Sequence, residues 1–295
     1  MDYEGQICRS PFERGSFMLP VMVGCSHNAC KFCGLFRHVD YRILPIEQVE
    51  DELKRVSAAG GNPSRVFLGD GNAFTLSTGE LLTICDLINS YLPSVEQINM
   101  DATVTSILDK SDVELKSLHD AGVRHLYLGI ECALDDVLEF MNKDHDMDEA
   151  KRAINALFDA GLIFDAHIMS GICGEGRGQV NAHALAKFFS EYPPQNICNF
   201  DMNLGSKTPL WNDYVKGTFR PSDCIEKFNE VKTFLSEVKL ELGRDMFYDA
   251  VFEHPPVRLM GNIATDRDKM MSQLDTFIEK YKNSEKIYSI WDANN

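Results

Sequence analysis

Short apolar runs rich in β-prone residues alternate with longer stretches of helical periodicity from about residue 17 onward. Between the runs, apolar residues recur every three or four positions, as in Ile46, Val49 and Leu53, which is the spacing of one helix face. Such alternation is typical of a parallel sheet covered by helices, so it predicts an α/β fold. The six predicted strands are 17–23, 65–68, 97–101, 125–129, 164–169 and 197–202.

The alternation weakens after Thr208-Pro209-Leu210, which divides the chain into a core and an extension. Helical stretches at 223–240 and 266–281 flank a possible strand at 245–252. We therefore predict an N-terminal segment (1–16), an α/β core (17–215) and a largely helical C-terminal extension (216–295) packed on the core. The pattern contains no internal repeat or flexible linker, so independently moving domains are not expected.

Composition and charge narrow the possible partners of this 295-residue chain. It has 44% hydrophobic and 25% charged residues, which is typical of a globular enzyme with a sizeable core. The 29 Lys and Arg against 45 Asp and Glu give a net charge of −16, which would repel a phosphate backbone. The sequence shows neither a membrane-spanning run nor a signal peptide. We expect a cytoplasmic protein without a membrane partner, and the charge disfavours a nucleic-acid partner.

Three of the nine cysteines are crowded into nine positions, directly after the first predicted strand. Cys25, Cys30 and Cys33 would lie at the carboxyl edge of the sheet, where α/β barrels build their active sites. Three thiolates at this spacing can bind three irons of a [4Fe-4S] cluster and leave one iron open. The amino and carboxylate groups of S-adenosylmethionine can chelate such an open iron.

Other interpretations of the cysteines remain open. A structural zinc site could take its fourth ligand from His27 or from a distant cysteine. A four-ligand electron-transfer cluster using a remote cysteine is a further alternative. We expect the isolated cysteines to be small buried hydrophobes or inert thiols. These are Cys8, Cys85, Cys132, Cys173, Cys198 and Cys224.

The segment from Gly24 to Cys33 resembles the cluster-binding motif of the radical S-adenosylmethionine (radical SAM) superfamily. The resemblance covers about residues 17–212 and extends to the branch that includes oxygen-independent coproporphyrinogen oxidase-like proteins. It differs in one respect, since four residues separate the first two cysteines where most of the superfamily has three. The resemblance implies a partial (β/α)6 TIM-like barrel, a [4Fe-4S] cluster and S-adenosylmethionine as cofactors.

Further matches to the family follow the predicted strands in order. Gly69-Asp70-Gly71-Asn72 resembles the turn that binds the methionine amino group, and Lys143 takes the place of an Arg that pairs with the methionine carboxylate. The stretch that begins at Gly171 is similar to the one that lines the adenine site, and the resemblance implies a backbone contact with adenine at Leu204. With Cys25, Cys30 and Cys33 as metal ligands, the cofactor-binding residues that the resemblance implies are Phe32, Gly69, Asp70, Gly71, Asn72, Asp101, Glu131, Lys143, His167, Gly171 and Leu204.

The family chemistry implies an oxidoreductase-type radical enzyme. Reduced ferredoxin or flavodoxin would supply an electron to the cluster, and cleavage of S-adenosylmethionine would yield a 5'-deoxyadenosyl radical that abstracts hydrogen from a substrate. We expect a polar small molecule, with Asn99, Thr103, Asn199 and Asp201 among its possible contacts, and we assign no catalytic residue. The alternatives are modification of tRNA or a peptide, or a non-catalytic iron-sulfur or zinc protein.

Overall fold

The structure is a computed structural model that describes residues 8–291. Part of the expected N-terminal segment, residues 1–7, and the last four residues of the extension lie outside the described residues. Two compact units are present. The first comprises residues 8–28, 35–129 and 148–165, and the second comprises residues 29–34, 130–147 and 166–291.

Strands and helices alternate along most of the described chain. The strands are β1 Phe17–Pro20, β2 Met22–Val23, β3 Arg42–Ile43, β4 Arg65–Gly69, β5 Gln97–Ala102, β6 Val123–Glu131, β7 Ile163–Ser170, β8 Asn196–Asp201, β9 Leu204–Gly205, β10 Phe247–Phe252, β11 Val257–Asn262 and β12 Ile290–Trp291. The helices are α1 Ile46–Ala58, α2 Thr78–Tyr91, α3 Val104–Leu108, α4 Asp112–Asp120, α5 Asp135–Phe140, α6 Met147–Ala160, α7 Gly178–Glu191, α8 Leu210–Val215, α9 Cys224–Glu237 and α10 Ile263–Tyr281.

The first unit is built on parallel strands in the order β1, β4, β5 and β6. Helices α2, α3 and α4 begin at side chains that satisfy free N–H groups of the first turn. Ser77 and Glu80 form a reciprocal cap at the start of α2, and Ser111 and Glu114 do the same for α4. The chain between Gly69 and α2 and the chain between Ala102 and α4 therefore lie at the carboxyl ends of β4 and β5.

The second unit contains the carboxyl-terminal part of β7 followed by β8, β10 and β11. Strand β8 is parallel to both β7 and β10, while β11 returns antiparallel to β10. Helix α9 packs against α7 and α10, and it buries Phe228, Val231 and Phe234. The short strands β9 and β12 pair in parallel, so the end of the described chain lies beside residues 204–205.

All six strands expected from the sequence are present, and the α/β fold class is confirmed. The expected strand 17–23 is divided into β1 and β2 at Val21, whose N–H donates to the Gly69 carbonyl at 2.7 Å. The extension is less helical than expected. The possible strand 245–252 is present as β10 and pairs with β8, and its hairpin partner β11 was not anticipated.

Within residues 8–291, no helix has the length and apolar character that crossing a bilayer requires.

Candidate active site

Cys25 lies in the first unit, in a turn shaped by two glycines. Gly24 has a φ of 83°, a conformation that glycine adopts without strain. The backbone at Gly71 passes so close to Cys25 that a Cβ on Gly71 would lie 2.6 Å from the Cβ of Cys25 and 2.7 Å from the Phe36 ring. Position 71 therefore has to be glycine for the turn after β4 to approach the partly exposed Cys25 thiol.

Asn72 connects the cysteine segment to the end of β5. Its amide nitrogen donates to the Ser26 hydroxyl at 2.9 Å and to the Thr103 hydroxyl at 3.1 Å. Its amide oxygen accepts from the Thr103 N–H at 3.1 Å. The side chain is buried, and these bonds engage both of its polar atoms, so Asn72 holds the turn after β4 against Ser26 and against the start of α3.

Two carboxylates of the expected set also lie in the first unit. Asp70 follows Gly69, to which it is joined by a cis peptide bond, and burial raises the pKa of its carboxyl to about 6 although the Gly24 N–H donates to it. Asp101 is buried near the carboxyl end of β5, where it pairs in register with Tyr127 of β6. Both side chains lie at strand ends, as expected from the sequence.

Cys30 and Cys33 lie in the second unit, on a segment that two backbone hydrogen bonds fasten. The Lys31 N–H donates to the Met141 carbonyl at 2.9 Å, and the Leu210 N–H donates to the Lys31 carbonyl at 3.0 Å. The Lys31 ammonium lies 4.1 Å from the centre of the Phe140 ring. Both thiols and the Phe32 side chain between them are partly exposed.

A buried ion cluster lies close to Cys30. The Lys143 ammonium lies 3.4 Å from a carboxylate oxygen of Glu131 and 3.6 Å from one of Asp144. Burial alone would lower the pKa of Lys143, but the negative charges of Glu131, Cys30 and Asp144 outweigh it and raise the pKa. Lys143 is therefore a permanent cation beside Glu131, an expected cofactor contact, and close to Cys30, an expected iron ligand. Glu131 has a φ of 62°, so the backbone bends where β6 ends.

His167 on β7 lies within electrostatic range of Lys143. Burial lowers the pKa of its imidazole to about 4, and the Lys143 charge acts in the same direction. The ring therefore stays neutral at pH 7. The imidazole and the Phe200 ring pack in a T-shaped arrangement, with ring centres 5.3 Å apart.

The glycine-rich turn after β7 contacts the extension. We call residues 171–178 the glycine loop. Gly171 has a φ of 80°, and its N–H donates to the Glu230 carboxylate at 2.8 Å. Leu204, expected to contact adenine through its backbone, donates its N–H to the Ser289 carbonyl at 2.8 Å. Any adenine contact at Leu204 therefore has to use a different backbone group.

The polar residues expected to face a substrate are bonded within the protein. Asn99 donates to Glu13 at 2.8 Å and accepts from the His125 N–H at 3.0 Å. Asn199 accepts from the Ser170 N–H and donates to the Tyr248 hydroxyl. Asp201 accepts from Lys227, and Thr103 caps α3. The expectation for Asn99 and Asn199 is wrong, because both side chains are buried and satisfied by neighbouring strands.

The donor set is suited to an iron-sulfur cluster. Such clusters are bound by thiolates, and a nearby cation favours a thiolate over a thiol. Lys143 supplies that cation at Cys30, and Gly71 leaves room beside Cys25. Among residues 8–291, no three or more His, Cys, Asp and Glu side chains are already grouped as a metal site, so the ligand assignment stays a prediction from the motif.

Several contacts were not foreseen from the sequence. Phe36 packs where a side chain at position 71 would lie, Asp144 completes the ion cluster, and Glu226 and Glu230 bind the glycine loop. Asp144 adjoins Lys143 in the sequence, which was an available signal. The two glutamates lie more than 45 residues from the loop they bind, on a helix that reads as an ordinary amphipathic one.

Comparison with known proteins identifies one family. Residues 19–185, more than half of the chain, match the family model of the radical SAM superfamily. The haem chaperone HemW of Bacillus subtilis strain 168 is 29% identical over 200 residues, which cover 65% of this chain and 52% of that protein. The anaerobic magnesium-protoporphyrin IX monomethyl ester cyclase of Rubrivivax gelatinosus is 30% identical over 206 residues, covering 66% of this chain and 36% of the cyclase.

A solved structure supports the fold. The coproporphyrinogen III oxidase HemN of Escherichia coli superimposes with a TM-score of 0.50 at 15% identity, over 80% of this chain and 63% of that structure. Against the curated relatives the chain is short, since the match spans about half of HemW and about a third of the cyclase.

Proposed function

Because this chain belongs to the radical SAM superfamily, we propose that Cys25, Cys30 and Cys33 bind three irons of its [4Fe-4S] cluster and that the fourth iron binds S-adenosylmethionine. The match to the family model confirms, at the level of the family, the resemblance drawn from the sequence. The chain is a radical SAM enzyme, and the cluster and S-adenosylmethionine are its cofactors. When bound and reduced, they supply a 5'-deoxyadenosyl radical that abstracts hydrogen from a substrate.

The proposal is carried by the Lys143 cluster. A buried ammonium flanked by Glu131 and Asp144 and close to Cys30 is suited to bind the carboxylate of the methionine moiety beside the open iron. Glu131 then has an acceptor oxygen for the ammonium or a ribose hydroxyl. Neutral His167, Asp101 and the turn from Gly69 to Asn72 are proposed to complete the cofactor site. The glycine loop is proposed to line its adenine side.

We propose a polar small molecule as substrate. The net charge of −16 disfavours a tRNA, whose phosphates the protein surface would repel. The three compared proteins are named for haem or for related tetrapyrroles, so carboxylated tetrapyrroles are the first substrates to test. Reduced ferredoxin or flavodoxin is the proposed electron donor, and the cytoplasm is the proposed compartment.

Anaerobic reconstitution followed by electron paramagnetic resonance tests the proposal. Addition of S-adenosylmethionine to the reduced protein should change the cluster signal, and dithionite should release 5'-deoxyadenosine. A signal that S-adenosylmethionine leaves unchanged would show that no iron is open. Release of 5'-deoxyadenosine accelerated by tRNA, and not by tetrapyrroles or other small molecules, would instead assign a nucleic-acid substrate.

A further inference from the structure

We propose that helix α9 of the C-terminal extension holds the glycine loop in its cofactor-binding form, with Glu230 as the principal positioning residue. The inference rests on the proposed function, since it takes the glycine loop as part of the adenine site. It assigns to the extension a role in cofactor binding, and it names the side chains through which that role is exerted.

Two carboxylates on one face of α9 bind both ends of the glycine loop. Glu230 accepts from the Gly171 N–H at 2.8 Å and from the Asn181 side chain at 2.8 Å. Glu226, one turn earlier, accepts from the Gly176 N–H at 2.6 Å and from the Gly178 N–H at 3.5 Å. Residues four apart on a helix lie on the same face, so one rigid element fastens the loop at three backbone positions.

The glycine loop depends on these contacts for its conformation. Gly171, Gly174 and Gly176 all have φ values near 80°, and glycine loses more conformational freedom on ordering than any other residue. Gly171 also lies directly against α9, because a Cβ there would be 2.7 Å from the Lys227 side chain. The acceptors on α9 offset the entropy that the loop loses when it is ordered.

Glu230 binds the loop best when it is ionised. Its charged neighbours are Lys227 and Glu226 on α9, and it also faces Cys173 of the glycine loop and Tyr248 of β10. The Lys227 ammonium donates to Asp201 and to the Met202 carbonyl. The Glu230 carboxylate accepts from two neutral donors, the Gly171 N–H and the Asn181 side-chain amide. Burial raises the pKa of Glu230 to about 7. Protonation converts one oxygen into a donor that faces another donor, which weakens the contact below pH 7.

The experiment uses the reconstituted holoenzyme and three variants, Glu230→Ala, Glu230→Gln and Glu237→Gln. Glu237 is on the same helix but exposed and paired with His183, so it serves as the matched control. S-adenosylmethionine affinity is measured at pH 6 and pH 8, and amide hydrogen exchange is followed across residues 171–178. For each protein, the S-adenosylmethionine affinity and the exchange rates are compared with the iron content of the reconstituted sample.

We expect Glu230→Ala to weaken S-adenosylmethionine binding about tenfold or more at pH 8 and to accelerate exchange in the glycine loop, since buried donors lose a charged acceptor. Glu230→Gln keeps an acceptor for Gly171, so it should lose less than about threefold at pH 8. Wild-type affinity should fall from pH 8 to pH 6 more steeply than that of Glu230→Gln. The Glu237→Gln protein should match wild type throughout.

Unchanged affinity in a cluster-loaded Glu230→Ala protein would overturn the inference. So would equal pH dependence in wild type and Glu230→Gln. If Glu230→Ala does not fold, Glu226→Ala takes its place, because that side chain is partly exposed; it should accelerate exchange at Gly176 and weaken binding, and unchanged affinity would again be decisive against the inference. Failure of the proposed function is distinguishable, since wild type itself would then bind no S-adenosylmethionine.

Discussion

The Lys143 ammonium and the Glu131 carboxylate form a buried ion pair, 3.4 Å apart, where β6 ends. An Asp144 carboxylate oxygen lies 3.6 Å from the same ammonium, so the cluster has one cation and two carboxylates before any ligand binds. A ligand that brings both an ammonium and a carboxylate, as a methionine moiety does, can exchange partners with this cluster without leaving a buried charge alone.

Replacement of Lys143 should impair cofactor binding. Lys143→Met leaves Glu131 and Asp144 buried without their cation, so we expect S-adenosylmethionine affinity to fall tenfold or more and the unfolding free energy to drop by about 3 kcal/mol. Lys143→Arg keeps the positive charge and should retain much of the S-adenosylmethionine affinity and of the unfolding free energy. Equilibrium binding and chemical denaturation measure the two effects. Lys151→Met, at an exposed pair with Asp148, is the control, and equal losses in both Met variants would contradict the assigned role.

Cys30→Ala should abolish the cluster. Two thiolates cannot retain a cubane cluster that three are proposed to bind, so iron content and visible absorbance after anaerobic reconstitution should fall to background. Cys85→Ala removes a buried thiol from α2 and should load iron normally. If Cys30→Ala retained full iron content and released 5'-deoxyadenosine, the ligand assignment would be wrong.

Gly71→Ala tests the close approach between the turn after β4 and Cys25. The new methyl group would lie 2.6 Å from the Cys25 Cβ and 2.7 Å from the Phe36 ring. We therefore expect the free energy of unfolding to fall by about 1 to 3 kcal/mol and iron loading to be reduced. Gly79→Ala provides the contrast. Its methyl group meets nothing within 4 Å in the first turn of α2, where Ala is the better helix former, so it should be neutral or stabilising. Thermal unfolding and iron assays compare the two.

Stability should depend on pH through Glu230. Its pKa is about 7 in the folded protein and 4.5 as a free side chain, so the folded state favours the protonated form. The stability that this preference contributes is fully present below pH 4.5 and is lost as the pH rises through 7. Glu230→Gln cannot ionise. From pH 5 to pH 8, its unfolding free energy should therefore rise relative to wild type by up to about 3 kcal/mol. Parallel stability curves for the two proteins would contradict the raised pKa.

The α/β fold class and the role of the three crowded cysteines as candidate cluster ligands could be predicted from the sequence, because both predictions rest on local properties of the chain. Apolar periodicity reports which residues of one segment face the core, and the spacing of Cys25, Cys30 and Cys33 needs no partner elsewhere. The positions of Asp101 and Glu131 at strand ends follow from the same alternation, since a strand and the turn after it are continuous in sequence.

Tertiary packing alone decided the partners of the buried polar groups. Asn99 was expected at a substrate and is instead bonded to Glu13, 86 residues away, while Glu230 reads as an ordinary helix glutamate and binds the Gly171 N–H. Sequence pattern limits which side chains are buried, but a buried carboxylate or amide takes whichever donor the folded chain brings within about 3 Å. That choice depends on residues far apart in sequence, and it was made only when strands and helices packed together.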